Sequence, residues 1–169
     1  VMDPEQAARW IYQKLETDGA FSFDYETDRL KPDAADAEVV TCSICWEGKE
    51  TIAFPWCGAA IPAVGDFTSS QHFKIGANNA FEDRWTMKYF GHPVENFRWD
   101  VVLKAHHLDN REGITSVKFQ ALVTLGQPDW SYTLEPYLDG VGGNGRNKIR
   151  DADLRSLLLY NGMDSAIQY

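Results

Sequence analysis

The stretch FSFDYETDRL, residues 21–30, constrains the fold more than any other part of the chain. Phe21, Phe23 and Tyr25 alternate with Ser22, Asp24 and Glu26, the period-two pattern of a strand with one buried apolar face. Asp24 and Glu26 therefore share the opposite face. An ionised carboxylate loses its hydration on burial and is costly there without a partner. A sheet built on this strand must bring positive charge to that second face. With 169 residues, 44% of them hydrophobic, the length fits a single domain, residues 1–169, with a sizeable core.

Asp3-Pro4 followed by EQAARWIYQKLE predicts a helix, with Asp3 as cap, Pro4 in the first helical position, and Ala7, Ala8, Ile11 and Leu15 as its apolar stripe. Residues 20–25 form the strand just described. EVVTCSICW and ETIAFPW follow as two strands joined by a Glu47-Gly48-Lys49 turn, which makes an antiparallel meander. Residues 57–72 contain several breakers and leave room for only a short helix before FKIGAN, a fourth strand. AFEDRWTMKYF is helical, with Phe81, Trp85 and Phe90 on one buried side, and Gly91-His92-Pro93 stops it. NFRW is a short strand, and DVVLKAHHLD and TSVKFQALVTLG are further helices, the second closed by Gly126. Residues 127–150 read as loop, with VGGNGRNK as a mobile tip. The last segment, DADLRSLLLYNGMDSAIQY, reads as a helix interrupted at Asn161-Gly162. This order predicts an α/β fold, a mixed sheet of three antiparallel strands and two more, flanked by helices.

A formal net charge of −9 argues against a protein held to duplex nucleic acid by a broad basic face. It leaves room for a nuclease whose carboxylates gather divalent cations, because such a site attracts phosphate only once the metal is in. Cys42 and Cys45 fall on opposite faces of a strand, and no second pair completes a zinc site. Three unpaired cysteines suit a reduced, cytoplasmic protein. No apolar run approaches the ~18 residues of a membrane span, and the first residues lack the basic start and apolar block of a signal peptide. Opening on Val1 suggests a piece of a larger polypeptide.

Carboxylates recur near the ends of the predicted elements. Glu82 and Asp83 open a helix, and Asp164 lies four residues after Tyr160 on one helical face. Hydrolysis of a phosphodiester needs a nucleophile from water and relief for the charge on the phosphate oxygens, and two divalent ions ~3.5–4 Å apart supply both. Hard ions such as Mg²⁺ prefer carboxylate oxygens. Cations of this kind would be the counter-charge for Asp24 and Glu26, and without them the carboxyl pKa values should rise.

Taken together, these motifs resemble the 3′–5′ exonuclease domain of family-A DNA polymerases, phage branch, within the DnaQ-like, ribonuclease-H-like group. Its D-x-E motif is matched by Asp24-Tyr25-Glu26, with Thr27 and Leu30 in the expected places. Its second motif, an Asn then an aromatic and an acid opening a helix, is matched by GANNAFEDRW, and its Y-x-x-x-D by Tyr160 and Asp164. The segment WDVVLKAHHLDNREGITSVKF is also similar to the family's, and the resemblance runs from about Phe21 to Tyr169. The family usually has Asp at the second motif. Alignment on Phe81 gives that role to Glu82 and leaves Asp83 as the alternative, and the connection over 57–72 is shorter than the family's helical crossover.

The resemblance implies a 3′–5′ exonuclease using two divalent cations, Mg²⁺ or Mn²⁺, on the 3′ end of single-stranded or frayed DNA, with RNA possible. It implies a proofreading role beside a C-terminal polymerase domain. Asp24 would bridge both ions, Glu26 and Asp164 would hold the ion nearer the attacking water, and Glu82 would act on the second. Tyr160 would orient the water. Leu30 and Phe81 would lie beside the terminal bases, and Thr27 and Asn78 would hold the terminal nucleotide. A free-standing enzyme trimming RNA ends and a catalytically idle nucleic-acid-binding domain are the alternatives. Of the other conspicuous residues, Asp100 reads as a helix cap, His106 and His107 as a helix-end pair near the surface, and Trp85 and Trp99 as core. Arg146 and Lys148 sit in the glycine-rich tip, from which they can approach a strand's phosphates.

Overall fold

The computed structural model describes residues 1–109, 111 and 113–169. Five strands, β1 (Ala20–Thr27), β2 (Val39–Trp46), β3 (Glu50–Pro55), β4 (Phe73–Gly76) and β5 (Phe97–Asp100), form one sheet in the order β3-β2-β1-β4-β5. The first three make the antiparallel meander; β4 then pairs with β1, and β5 with β4, in parallel. Glu47 and Gly48 both have positive φ (55° and 62°) in the three-residue turn Glu47-Gly48-Lys49, closed by the Lys49 N–H donating to the Trp46 carbonyl (3.0 Å). The acidic strand β1 is thus central, flanked by β2 and β4.

Each face of β1 meets a different kind of partner. Phe21 and Phe23 pack edge-on against Phe67 of α2 (Ala60–Ser69), with ring centroids 5.2 and 5.4 Å away, and Tyr25 packs against Trp56. Helix α1 (Pro4–Leu15) closes this side, its first turn fixed by reciprocal bonds between Asp3 and Gln6. On the other face lies α7 (Leu154–Gln168), held by a buried polar seam. Ser22 Oγ donates to the Ser165 carbonyl (2.6 Å), Ser43 Oγ to the Asn161 carbonyl (2.6 Å), and Thr41 Oγ1 to Asn161 Oδ1 (3.0 Å). The seam accounts for the buried polar residues Ser22, Thr41 and Ser43 on this face of the sheet.

The remaining helices are α3 (Ala80–Phe90), α4 (Val101–Leu108), α5 (Val117–Leu125) and the short α6 (Glu135–Leu138), with a 3-10 turn at Ile149–Asp151. Gly91 and Gly126 end α3 and α5 in the left-handed conformation, and Asp100 and Ser116 cap α4 and α5. Among the described residues no helix is long and apolar enough to cross a membrane. Cys42 pairs with Tyr25 and Cys45 with Ser22, on opposite faces of the sheet, and all the cysteines are free.

Four local expectations are corrected. Residues 57–72 hold a full ten-residue helix, α2, whose buried Ala60, Ala63, Val64 and Phe67 follow helical spacing. Pro62 sits in its first turn, where a missing N–H costs little, and Gly65 lets the Phe90 ring come within 3.0 Å of where a Cβ would stand. Helix α7 runs unbroken through Asn161-Gly162, because the sheet's hydroxyls bond to Asn161 and tie the turn down. The segment 140–150 is docked: Arg146 pairs with Asp28 and Asp36, Asn144 Oδ1 accepts the Lys31 N–H, and Asn147 Nδ2 donates to the Thr27 carbonyl. Trp99 is not core; it is 43% exposed, while Trp85 is fully buried and Phe81 and Phe90 only partly.

Candidate active site

The period-two geometry of β1 turns Asp24 and Glu26 toward α7, and one helical turn of α7 carries Tyr160 and Asp164 to meet them. Oxygens of Asp24, Glu26 and Asp164 all lie within 4.8 Å of one another. Glu82, in the first turn of α3, stands outside that trio but lines the same cleft of about 280 Å³, together with Asn78, Phe81, Lys118 and Tyr160. Glu82 is only 1% exposed, and its Oε2 has no hydrogen-bond partner among the described residues. Asp83 turns the other way, accepting the Val94 N–H (2.8 Å) and lining a separate cleft with Pro32 and Lys88.

The residues expected to hold substrate divide. Asn78 and Phe81 line the cleft; Thr27 and Leu30 do not. Thr27 is buried and donates through Oγ1 to the Arg29 carbonyl (2.6 Å), and Leu30 is 67% exposed. Asn78 adopts φ 60°, and the turn it forms is clamped by Asp100. That carboxylate accepts the N–H groups of Asn78 and Asn79 and also caps α4 through Val102 and Leu103.

Burial and mutual repulsion dominate the electrostatics. Burial first, then Asp164 nearby, push the Asp24 carboxyl up to about 8, against the pull of Gln168, Lys118 and Asn161. Glu26 is held well above the usual carboxylate range by burial and then by Asp24 and Asp164, and Glu82 by burial and then Asp24. Burial also raises Asp164, although Lys118, Tyr160 and Trp130 oppose it. The Tyr160 phenol is raised by burial and by Asp164, so it keeps its proton at neutral pH.

Four further residues shape the site. Lys118 Nζ donates to Tyr160 Oη (3.1 Å) and Asp164 Oδ1 (3.3 Å) and lies over the rings of Trp130 and Tyr160. Trp130 Nε1 donates to Asp164 Oδ1 (3.2 Å). Asn161 Nδ2 donates to Asp24 Oδ2 (2.8 Å), and Gln168 Nε2 to Asp24 Oδ1 (3.3 Å). Asn161, Asp164 and Gln168 recur at helical spacing, so the α7 pair carried a signal in the sequence. Lys118 and Trp130 arrive only through tertiary folding.

The donor set fits a hard divalent cation. It is all oxygen, as Mg²⁺ and Mn²⁺ prefer, and the carboxylates outnumber the one lysine lining the cleft. Glu82 Oε2 and Gln168 Oε1 are buried acceptors still without a donor among the described residues.

Residues 1–125 match the model of a 3′–5′ exonuclease family. The chain belongs to that family. The match ends before α7, so Tyr160 and Asp164 join the site of this exonuclease by geometry. No curated protein matches the exonuclease. Among solved structures it is similar to the Trypanosoma brucei RNase D in complex with RNA U12, at 13% identity and TM-score 0.68 over 99% of this chain and 59% of that one. It is also similar to Brucella melitensis NrnC with bound Mg²⁺, at 13% identity and TM-score 0.64 over 90% and 69%. A third likeness is to the POL domain of Pol1 from M. smegmatis with DNA primer-template and dNTP, at 8% identity and TM-score 0.61 over 99% and 26%. These likenesses establish the α/β, ribonuclease-H-like fold, and the family establishes that the exonuclease is a nuclease.

Proposed function

We propose that the exonuclease removes nucleotides from the 3′ end of single-stranded or frayed DNA with two divalent cations, Mg²⁺ or Mn²⁺. The observation that carries the reading is the convergence of Asp24, Glu26 and Asp164 within 4.8 Å, from elements far apart in sequence. Asp24 and Glu26 of β1 and Asp164 of α7 would hold one ion, and Glu82, which lines the same cleft, would help hold the second, with Asp24 serving both. When bound, such ions lower the pKa of water and offset charge on the phosphate oxygens. The protonated Tyr160 phenol holds and orients the attacking water, a role that needs no ionisation. Phe81 packs beside the terminal base and Asn78 holds its sugar-phosphate, contacts that read no sequence. Leu30 stands exposed outside the cleft, and Thr27 acts by fixing the turn after β1 through its bond to the Arg29 carbonyl.

DNA, a proofreading role and a polymerase domain beyond Tyr169 follow from the motif resemblance to the phage-type polymerases, and cytoplasmic location from the reduced cysteines. A second reading, trimming of RNA 3′ ends, is favoured by the likeness to RNase D bound to RNA. One experiment separates the two substrates and tests polarity and metal dependence together. Single-stranded DNA and RNA of one sequence, labelled at the 5′ end, are incubated with Mg²⁺, Mn²⁺ or a chelator. A ladder shortening from the 3′ end is expected, abolished by chelator and by Asp24→Ala. Undiminished cleavage by a pure, folded D24A protein would overturn the assignment.

A further inference from the structure

Trp99 does not behave as the core residue its neighbours in sequence suggest. It projects from β5, the edge strand, between two clefts that both adjoin the acidic site. The larger, about 540 Å³, shares Asn78 with the acidic cleft; the smaller, about 290 Å³, shares Val117 and Gln168 with it. An indole this exposed is unusual for its size. Lys104 Nζ stands 5.0 Å from the centre of its ring, and exposed Arg98 and His107 line the same wall. Lys104 and His107 are three apart on α4 and so share a face. Asp100, the carboxylate in that wall, is committed to the four N–H groups it caps and clamps. A cationic, aromatic wall has thus formed on a chain of net charge −9, continuous with the place where a phosphodiester would be cut.

We propose that this wall is a further nucleotide subsite, which binds the strand upstream of the terminal dinucleotide. The inference rests on the exonuclease reading above. One base stacks on the open side of the Trp99 indole while Lys104 covers the other, and Arg98, Lys104 and His107 meet the adjoining phosphates. Stacking accepts every base because each has a π face, so the subsite is indifferent to sequence. It makes the enzyme a reader of length: a single strand of several nucleotides fills it, and a dinucleotide does not.

The test measures binding of a fluorescein-labelled six-nucleotide single strand by anisotropy in Ca²⁺, for the wild type, Trp99→Ala, Trp99→Phe and Lys104→Ala. W99A is expected to weaken binding about tenfold, the size of one base stack, and W99F to recover most of the loss. K104A is expected to lower the slope of log affinity against log salt by about 0.7, the value for one phosphate contact on a single strand. In Mg²⁺ the fall in kcat/KM for W99A is larger on the six-mer than on a dinucleotide. If the wild type shortens strands while folded W99A binds and cleaves the six-mer as well as it does, the subsite is refuted, the exonuclease reading stands, and Trp99 is left to a protein contact. If W99A fails to fold, the K104A salt slope decides alone, an unchanged slope overturning the proposal. A wild type that neither binds nor shortens any strand overturns both.

Discussion

Replacing Lys118 by Met separates two effects that an ordinary packing defect would not. Lys118 is the one cation lining the acidic cleft, 3.3 Å from Asp164 Oδ1. A unit charge pair at that separation is worth about 1 kcal/mol in bulk water and about 5 at the effective dielectric of a protein surface. The lysine side chain keeps 28% of its exposure, and solvent screening therefore places the effect near the lower end, about 1–2 kcal/mol. Met preserves most of the aliphatic stem and removes the charge.

Without metal, K118M leaves the carboxylates with no nearby cation, so the folded state should lose about that amount, a fall in Tm of about 2–8 °C for a chain of this length. With metal the sign reverses. An ion entering the native cluster works against the ammonium group, and once that is gone Mn²⁺ should bind about tenfold more tightly, the equivalent of 1.4 kcal/mol. Thermal melts in chelator and calorimetric titration with Mn²⁺ at pH 7.5 measure the two effects on one preparation. A folded K118M protein that binds Mn²⁺ no better than the wild type would refute this account of the charge balance.

Two further outcomes follow from the same cluster. Carboxyl groups raised on folding, Asp24 up to about 8 with Glu26, Glu82 and Asp164 raised beside it, contribute stability that is complete below their unfolded values and lost as pH climbs through the folded ones. Metal-free protein should therefore melt at progressively lower temperature between pH 5 and about pH 8.5, and Mg²⁺ should restore the loss; a melting temperature that rises over that interval in chelator contradicts the reading. Glu82→Gln removes a buried carboxylate whose Oε2 lacks a donor, so it should leave metal-free stability unchanged or raise it by about 1 kcal/mol while cutting Mg²⁺-dependent cleavage at least tenfold. Denaturant melts and the strand-shortening assay report on each, and an E82Q protein cleaving at the wild-type rate would remove Glu82 from the site.

Much of this architecture was legible because strand and helix periods are local. The alternation over Phe21 to Glu26 places both faces of β1 without any knowledge of what covers them, and Asp3 followed by Pro4 marks the start of α1. What was not legible depends on partners distant in sequence. Pro62 and Gly65 hide a regular stripe because one lies harmlessly in a first turn and the other answers a close approach by Phe90. Asn161-Gly162 reads as a break only until the hydroxyls of Ser43 and Thr41 are seen to bind it. Trp99 reads as core because an indole in a strand usually is, and only the strand order, with β5 at the edge, exposes it. At the site, the acids themselves were visible as motifs, whereas Lys118 and Trp130 carry no local mark. The choice between Glu82 and Asp83 needed the rotation of α3, which aims the first at the cleft and the second at the Val94 backbone.

The polar seam under α7 explains how a cluster of repelling carboxylates keeps its shape. Apolar contacts alone would let a helix slide along a sheet by a turn at modest cost, because one apolar side chain fills another's place tolerably well. Asn161 forbids this. Its carbonyl accepts from Ser43, its Oδ1 accepts from Thr41, and its Nδ2 donates to the carboxylate of Asp24. Shifting α7 by one turn would leave these buried groups unpaired, each at about 1–3 kcal/mol, about twice what any one of the bonds contributes when made. The same residue that fixes the height of the helix therefore also fixes Asp24, and Asp164 arrives opposite it one turn later. The site is built into a sheet and helices, not into loops, and the carboxylates of Asp24 and Asp164 are held by hydrogen bonds before any ion or strand reaches them.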